Sequence, residues 1–582
     1  MSVFFLGSGA LDLESPLALI QLTRLRESSR TTFLASSLWF VSSLIKIALC
    51  LMLALASSHQ HVNAQSGVLP PTNTRWQEAG IPYMQSFTSQ DYHAFVQNWS
   101  VVQDTHGIIY VGTNDGVNVC DGASWRMITM PNASIVRSVN VDGNGRIYVG
   151  AVNEFGYLAP DSKGTMGYIS LLQHIKEQER SFGSVRNVVV TSDEVFFRTN
   201  VYLFRLSTTS LPLATRQGQV HSWRAQSGFT GAFVVKNQLY VQQDSIGLMT
   251  LAGDSLRLVP DGEKFRTMRV YFMLERDRNG RDILLGTRDG LFIFDGTSFH
   301  LFQTDADAFL RANRLQHGTN LTGGLIAIAT ERGGAIIMDS EGRVRQILDK
   351  AAGLRDVHVK FAYQDREGGL WLALNNGIAR YEIQSPFTLF QRIPGIENGV
   401  VSIVRHHDVL YAATGLGVYY LRTATNAGGS AVFKPVAGIT SQCRPLLSAN
   451  GFLFACASDG LYEIIGDRSK LITKGSVDCL YRPPRDANRV YVGFTDGLGV
   501  LQVHAEGYKF LGRFPGITEQ SRYIAEDESG TLWIGMTVQG VLRVQNPLLG
   551  SEKLKRGMRI QRYGAPNGLP HGWTSVYAGS IR

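Results

Sequence analysis

The sequence predicts an all-β protein made of tandem β-propellers with four-stranded antiparallel blades. Three observations predict it. A repeat spaced about 42 residues apart runs from Tyr110 to Trp533. The composition favours turns, with 61 glycines among 582 residues, 18% charged and 10% aromatic. Helical periodicity is nearly absent, the one candidate being 171–180, a short helix or a polar loop on one blade. A chain this long cannot share one hydrophobic core, so two or more domains are expected.

The repeat carries the argument. Its clearest copies start at Asp104, Asp365 and Asp527 and read Asp-x-x-Gly-x-apolar-aromatic-x-Gly/Ala, then a short polar stretch, then Gly-apolar. Weaker copies start at Asp142, Asp193, Asn237, Asp277, Leu325, Asp408, Asn450 and Asp486. Each part of the motif has a physical reason. The Asp carboxylate can accept bonds from turn N–H groups, and the Gly takes the positive-φ position of a hairpin turn. The apolar run that follows, such as Leu532-Trp533-Ile534-Gly535, suits a strand buried between neighbouring blades, where a small residue lets another backbone approach. A second turn ends at Gly116, Gly290, Gly377, Gly460, Gly497 or Gly540, and a third strand follows. Asp121-Gly122 and Asp295-Gly296 mark another turn, after which Trp125 or Phe299 opens an outer strand. Four strands joined by three tight turns make a blade. A single blade cannot cover both faces, so the repeats must stack, and a closed ring protects their edges.

The domain limits follow from the count. Residues 1–64 form a signal peptide or an N-terminal membrane anchor, and 65–80 a short leader. Residues 81–385 form a first propeller of about seven blades, and 386–582 a partial second propeller of four to five blades. The leader reading rests on the apolar run 45–56, interrupted only by Lys46, with the small-x-Ala sequence Val62-Asn63-Ala64 before Gln65. Cleavage after Ala64 is expected; the alternative joins the run to the apolar 33–45 as an anchor. The protein is therefore expected to be exported, periplasmic or extracytoplasmic. After Pro566-Asn567-Gly568-Leu569-Pro570 the next Asp turn is due, but the sequence ends at Arg582. This suggests a fragment; the alternative is a smaller ring closed by a strand from 92–102.

Several classes of chemistry find no support. The net charge of +8 is spread along the chain without a basic block, so no nucleic-acid surface is expected. Five cysteines lack a CxxC pair; Cys443, Cys456 and Cys479 could pair in an oxidising compartment, but buried free thiols are favoured over a bridge, and zinc is not expected. There is no GxSxG, HExxH or GxxxxGK[ST]. No catalytic, cofactor-binding or metal-ligating residue is assigned. His406-His407 reads as an exposed turn element, Glu154 as structural, and Trp371 and Trp533 as core. Ligand-binding residues are unassigned; the irregular loops 168–184, 304–323 and 423–436 are the candidate binding surface.

The repeat resembles the two-component regulator propeller repeat, complete at Asp527 to Gly535 and with Ala373 in the last position of the Asp365 copy. The string from Tyr148 to Ala159, with Phe182-Gly183 and Val195-Phe196-Phe197-Arg198-Thr199-Asn200, resembles the subgroup whose propellers precede a triple-tyrosine domain. That resemblance implies two seven-bladed rings acting as an extracytoplasmic sensor, followed by a triple-tyrosine domain, a membrane helix and an output module such as a histidine kinase. It also implies a carbohydrate or another small envelope ligand, and a homodimer formed through C-terminal parts. The sequence reading is thus a sensor region without enzymatic activity of its own. The alternatives are an interaction scaffold and a tandem-propeller glycoside hydrolase, the latter needing paired carboxylates at a cleft.

Overall fold

The computed structural model describes residues 2–7, 78–210, 220–276, 282–390, 399–424, 428–537, 540–547, 557–569 and 574–579. The apolar run 45–56 and the expected cleavage site after Ala64 lie outside the described residues. Among the described residues no helix is long and apolar enough to cross a membrane. The chain divides into two compact units. One comprises Trp76–Glu397 with Tyr420–Lys434, and the other Met1–Arg75, Asn398–Tyr419 and Pro435–Arg582.

Among its described residues the first unit holds seven four-stranded antiparallel sheets, as the fold class predicts. Their innermost strands are Asn98–Gln103, Val136–Val141, Asn187–Val190, Phe229–Val235, Val270–Glu275, Leu315–Leu321 and Val359–Gln364. Each packs beside the next, and the seventh packs beside the first, so the ring is closed. Blades 1 to 7 are numbered in this order. Closure is covalently offset: the outer strand of blade 7 is Met84–Phe87, which comes from before blade 1 and pairs antiparallel with Ile378–Tyr381. The closing strand is therefore not drawn from 92–102, where a short helix, Ser89–Tyr92, leads into the innermost strand of blade 1.

The turn motif works as its chemistry requires. In blade 7, Asp365 Oδ1 accepts the Gly369 N–H at 2.6 Å and Oδ2 accepts the Trp371 indole N–H at 2.8 Å. Asp527 binds Ser529 N, Thr531 N and the Trp533 indole in the same way. In blades 1 and 2, Asp104 and Asp142 accept the hydroxyls of Tyr110 and Tyr148 at 3.1 and 3.0 Å. The six-residue step from Asp to aromatic is thus one side-chain bond that ties the turn to the buried second strand. Gly368 sits at φ 90°, where a side chain would be strained. At Gly116, which opens the third strand of blade 1, a Cβ would lie 2.3 Å from the Ile128 carbonyl oxygen.

The second strands Ile109–Thr113, Ile147–Ala151, Ile283–Thr287 and Leu370–Leu374 are buried at every position. A strand covered on both faces reads as a continuous apolar run rather than an alternating one, which explains the repeat's appearance. Trp371 is 5% exposed and stacks on Phe87 of the closing strand at 5.7 Å, so its predicted core role holds.

The other unit holds four-stranded sheets whose innermost strands are Val400–His406, Cys443–Ala449, Val477–Tyr481 and Tyr523–Glu526. They follow one another side by side, and Thr574–Gly579 continues the series beside Tyr523–Glu526 while pairing antiparallel with Ser2–Gly7. Cys120, Cys443, Cys456 and Cys479 are free thiols. Burial pushes Cys443 and Cys479 up to about 12, so neither is a thiolate at neutral pH.

Candidate functional site

The innermost strands of the closed ring share an irregularity that builds a site. In blades 1, 2, 4, 5, 6 and 7 the first pair of residues is followed by a β-bulge that skips one position. A bulged residue is left out of the ladder and its side chain is re-aimed. The skipped residues are Trp99, Arg137, Thr230, Tyr271, Gln316 and Lys360. In blade 3 the equivalent residue is Arg186, just before the strand, whose N–H bonds the Arg198 carbonyl at 2.9 Å. All seven line one cavity of about 400 Å³ in the channel of the ring. One side chain from each blade thus forms a crown.

Below the crown lies a second layer, formed by the next residue of each strand. Ser100 Oγ accepts the Val139 N–H at 3.0 Å, Ser138 Oγ the Val188 N–H at 2.9 Å, and His317 Nδ1 the Ala362 N–H at 3.3 Å. Each of these bonds joins one blade to the next. His317 also stacks on Phe361 at 3.8 Å between ring centres, and burial pushes it down to about 4, so it is neutral at pH 7.

The channel is strongly cationic. Among the described residues, Arg137, Arg186, Arg198, Arg269 and Lys360 line it against one carboxylate, Glu331, which pairs with Arg314 at 3.5 Å. Trp99 donates its indole N–H to Asn114 Oδ1 at 2.7 Å and carries two cations on its ring. The Arg137 guanidinium lies 3.6 Å from the ring centre, and Lys360 Nζ 3.9 Å. Arg198 is 4% exposed. Its guanidinium donates to Asn187 Oδ1 and to the Phe229 carbonyl at 3.2 Å, both neutral acceptors. Burial, with Arg269 and Arg186 nearby, pushes it down to about 9.

Burial and then Arg137 push Lys360 down to about 8, from an ordinary value of 10.5. The unfolded chain therefore binds more protons between those values. The lysine's contribution to stability is full above pH 10.5 and is lost as the pH falls through 8. Denaturant unfolding of the wild type and Lys360→Met should show this: the variant is the more stable near pH 7, and its advantage shrinks toward zero near pH 10.5. An advantage that is constant with pH would contradict the electrostatic origin.

The crown was not legible beforehand, but Arg198 left a signal. It pairs with Asn187 at the position where other blades carry Gly112, Gly150, Gly286, Ala329 and Ala373. Blade 4 carries Gln242 at this position, so blades 3 and 4 both break the repeat's small-residue rule, and blade 3 does so with a charge.

Glu154, His406, His407, Trp371 and Trp533, singled out from the sequence, lie elsewhere, whereas one of the candidate loops reaches the channel. Glu154 is 5% exposed and accepts bonds from the Tyr168 hydroxyl at 2.9 Å and Ser170 Oγ at 2.7 Å, holding the two outer strands of blade 2 together. His406 Nδ1 is 2.9 Å from Ser448 Oγ, and its ring is 4.0 Å from that of His407; His406 is buried rather than exposed. Among the described residues no group of three or more His, Cys, Asp or Glu could hold a metal ion. The loop 168–184 contains two 3-10 turns, Leu172–His174 and Glu177–Glu179, and its Leu171, Ile175 and Phe182 belong to the core. The loop 304–323 is not irregular throughout: it holds a helix, Asp307–Asn313, and the innermost strand Leu315–Leu321, which supplies Gln316 and His317 to the channel. The loop 423–436 includes the outer strand Val432–Pro435.

No family model matches the chain, and no curated protein matches it. Solved structures similar to it include the extracellular domain of a hybrid two-component system from B. thetaiotaomicron, 15% identical, covering 84% of this chain and 80% of that one with a TM-score of 0.47. A second such domain from B. thetaiotaomicron is 14% identical, with 83% and 74% covered and a TM-score of 0.40. The virginiamycin B lyase of Staphylococcus aureus is 10% identical, with 51% and 98% covered and a TM-score of 0.39.

Proposed function

We propose that the chain is the ligand-sensing propeller region of an exported, extracytoplasmic signalling protein. It binds a small envelope ligand, such as a glycan fragment, and relays occupancy to a C-terminal output module. The observation that carries the reading is the channel of the closed ring, a cavity of about 400 Å³ to which every blade contributes one side chain. That volume falls within the roughly 300–1,000 Å³ of small-molecule sites. A ligand there touches all seven blades at once, and its binding energy then favours one spacing of the blades over others. The same channel supports binding over hydrolysis, because glycosidic chemistry needs two carboxylates across the bond and, among the described residues, Glu331 is the one carboxylate lining it.

Thr230, in the crown, is the position to block. In thermal unfolding with fractions of envelope oligosaccharides, the wild type should rise in Tm with a binding fraction. Thr230→Trp should unfold near the wild-type temperature without ligand and show no rise with it. An equal rise in the blocked variant moves the ligand out of the channel. The relay is tested in the gene beyond the codon for Arg582, where a membrane span and an output domain are expected; a stop codon there removes the relay from the reading.

A further inference from the structure

We infer that the channel of the seven-bladed ring is an oxyanion site, built for a small ligand that carries two or more carboxylate, sulfate or phosphate charges. The inference rests on the reading of the channel as the ligand site and adds the chemistry of its occupant.

Three observations carry it. The first is the charge imbalance. Among the described residues, Arg137, Arg186, Arg198, Arg269 and Lys360 have no carboxylate at ion-pair distance, and the single lining acid is taken by Arg314. Like charges held together in a partly desolvated cavity raise the energy of the empty state, and an anion removes that cost. The second is Arg198, a nearly fully buried guanidinium held in place by an amide and a backbone carbonyl. Buried charges are ordinarily paired, and neutral acceptors fix its plane while leaving its charge uncompensated. The third is how the crown cations are held. Arg137 and Lys360 are positioned by Trp99, whose ring orients them without neutralising them, and Arg137 Nε is buried with no acceptor. Preset donors of this kind lose little entropy on meeting a ligand, and guanidinium groups match the planar or tetrahedral oxygens of carboxylate, sulfate and phosphate.

The other unit supplies a contrast within the same chain. At the corresponding bulges of its innermost strands stand Arg444 and Asp478, which pair at 3.2 Å. There a crown cation is answered by a crown acid, so a cationic crown is not a by-product of propeller geometry. Burial displaces Lys360 and Arg137 downward, with Arg137 adding to the shift of Lys360 and Arg186 to that of Arg137, as expected of like charges held together away from solvent.

The test is isothermal titration of the whole chain with digalacturonate, glucose 6-sulfate, inorganic sulfate and inorganic phosphate, with cellobiose as the neutral probe. At least one anion should bind, weakening as the salt rises, while cellobiose binds at least about tenfold more weakly or not at all. Tighter binding of the sugar-borne anions than of the inorganic ones identifies the sugar as part of the ligand, and the reverse identifies the free ion. The double variant Arg137→Ala/Lys360→Ala, and separately Arg198→Met, should each reduce anion affinity by about tenfold or more. Because Arg198→Met can disturb folding, the crown variant decides, and Arg205→Ala, a cation outside the channel, serves as its control. Anion binding that survives the crown variant overturns the inference, as does the absence of binding by all four anions. Cellobiose binding that Thr230→Trp abolishes overturns the oxyanion chemistry but keeps the channel as the ligand site; anion binding that survives Thr230→Trp overturns the channel itself.

Discussion

Asp365→Ala should destabilise the seven-bladed ring by about 4 kcal/mol and lower its Tm by roughly 8–12 °C. The carboxylate is buried, with 3% of its side chain exposed, and it serves three donors at once: the Gly369 N–H, the Trp371 indole N–H and the Arg380 Nε at 2.8 Å. Alanine leaves the first two buried without acceptors, each costing roughly 1–3 kcal/mol. Arg380 keeps its ion pair with Glu382 and its place over the Trp371 ring. The site also sits in the blade that closes the ring. Trp371 stacks on Phe87, and Arg380 lies opposite Gln85 of the closing strand, so loss of the turn loosens closure itself. Asp365→Asn keeps an acceptor and should lose less. The control is Asp121→Ala, where the same residue type caps an exposed turn through Ala123 N and Ser124 N; its Tm should stay near that of the wild type. Scanning calorimetry of the three variants checks the order, and equal losses at Asp365 and Asp121 would falsify the view that burial, not turn capping, sets the cost.

The comparison of those two aspartates shows what the sequence can and cannot tell. Both announce a turn, and the period of the turns announces blades, because each feature is local: an Asp, a Gly three residues on, an aromatic six residues on. The four-stranded blades and the closed seven-membered ring follow from that repetition. The strand that closes the ring does not. Met84–Phe87 reads Met-Gln-Ser-Phe, with neither turn motif nor alternation, and it is a strand because Ile378–Tyr381 offers it an edge. The crown is illegible for a related reason. Its seven residues face a cavity rather than a neighbouring blade, so packing does not restrict them to one type, and Trp, Arg, Thr, Tyr, Gln and Lys all occur. A repeat search looks for what blades share, whereas the site consists of what they do not share. Arg198, beside the crown, is readable as a broken rule, since five of the other blades put Gly or Ala at its position and the sixth, blade 4, puts Gln242 there.

The string around Glu154 and Phe155 resembles a signature and invites a functional reading, yet its geometry is that of a core. Phe155 is fully buried between blades 2 and 3. Its ring centre lies 4.7 Å from that of Phe197, 5.0 Å from Phe204 and 5.6 Å from Phe182. Three of these rings come from different strands and the fourth from the loop 168–184, so Phe155 fastens that loop to two blades. Phe155→Ala should therefore cost roughly 3–5 kcal/mol, the transfer term plus the cavity left among rings that cannot all close in. Phe155→Leu, nearer in volume, should cost about 1.5 kcal/mol or less. Neither residue lines the channel. In the leucine variant, ligand affinity should consequently match the wild type while Tm falls, and chemical denaturation with parallel titration reads both. A leucine variant of normal stability that no longer binds would move the signature from packing to recognition. The physical weight is against that outcome: a side chain with no exposed surface and ring contacts on several sides can act on a ligand only by moving its neighbours, and four interlocked aromatic rings leave it little room to do so.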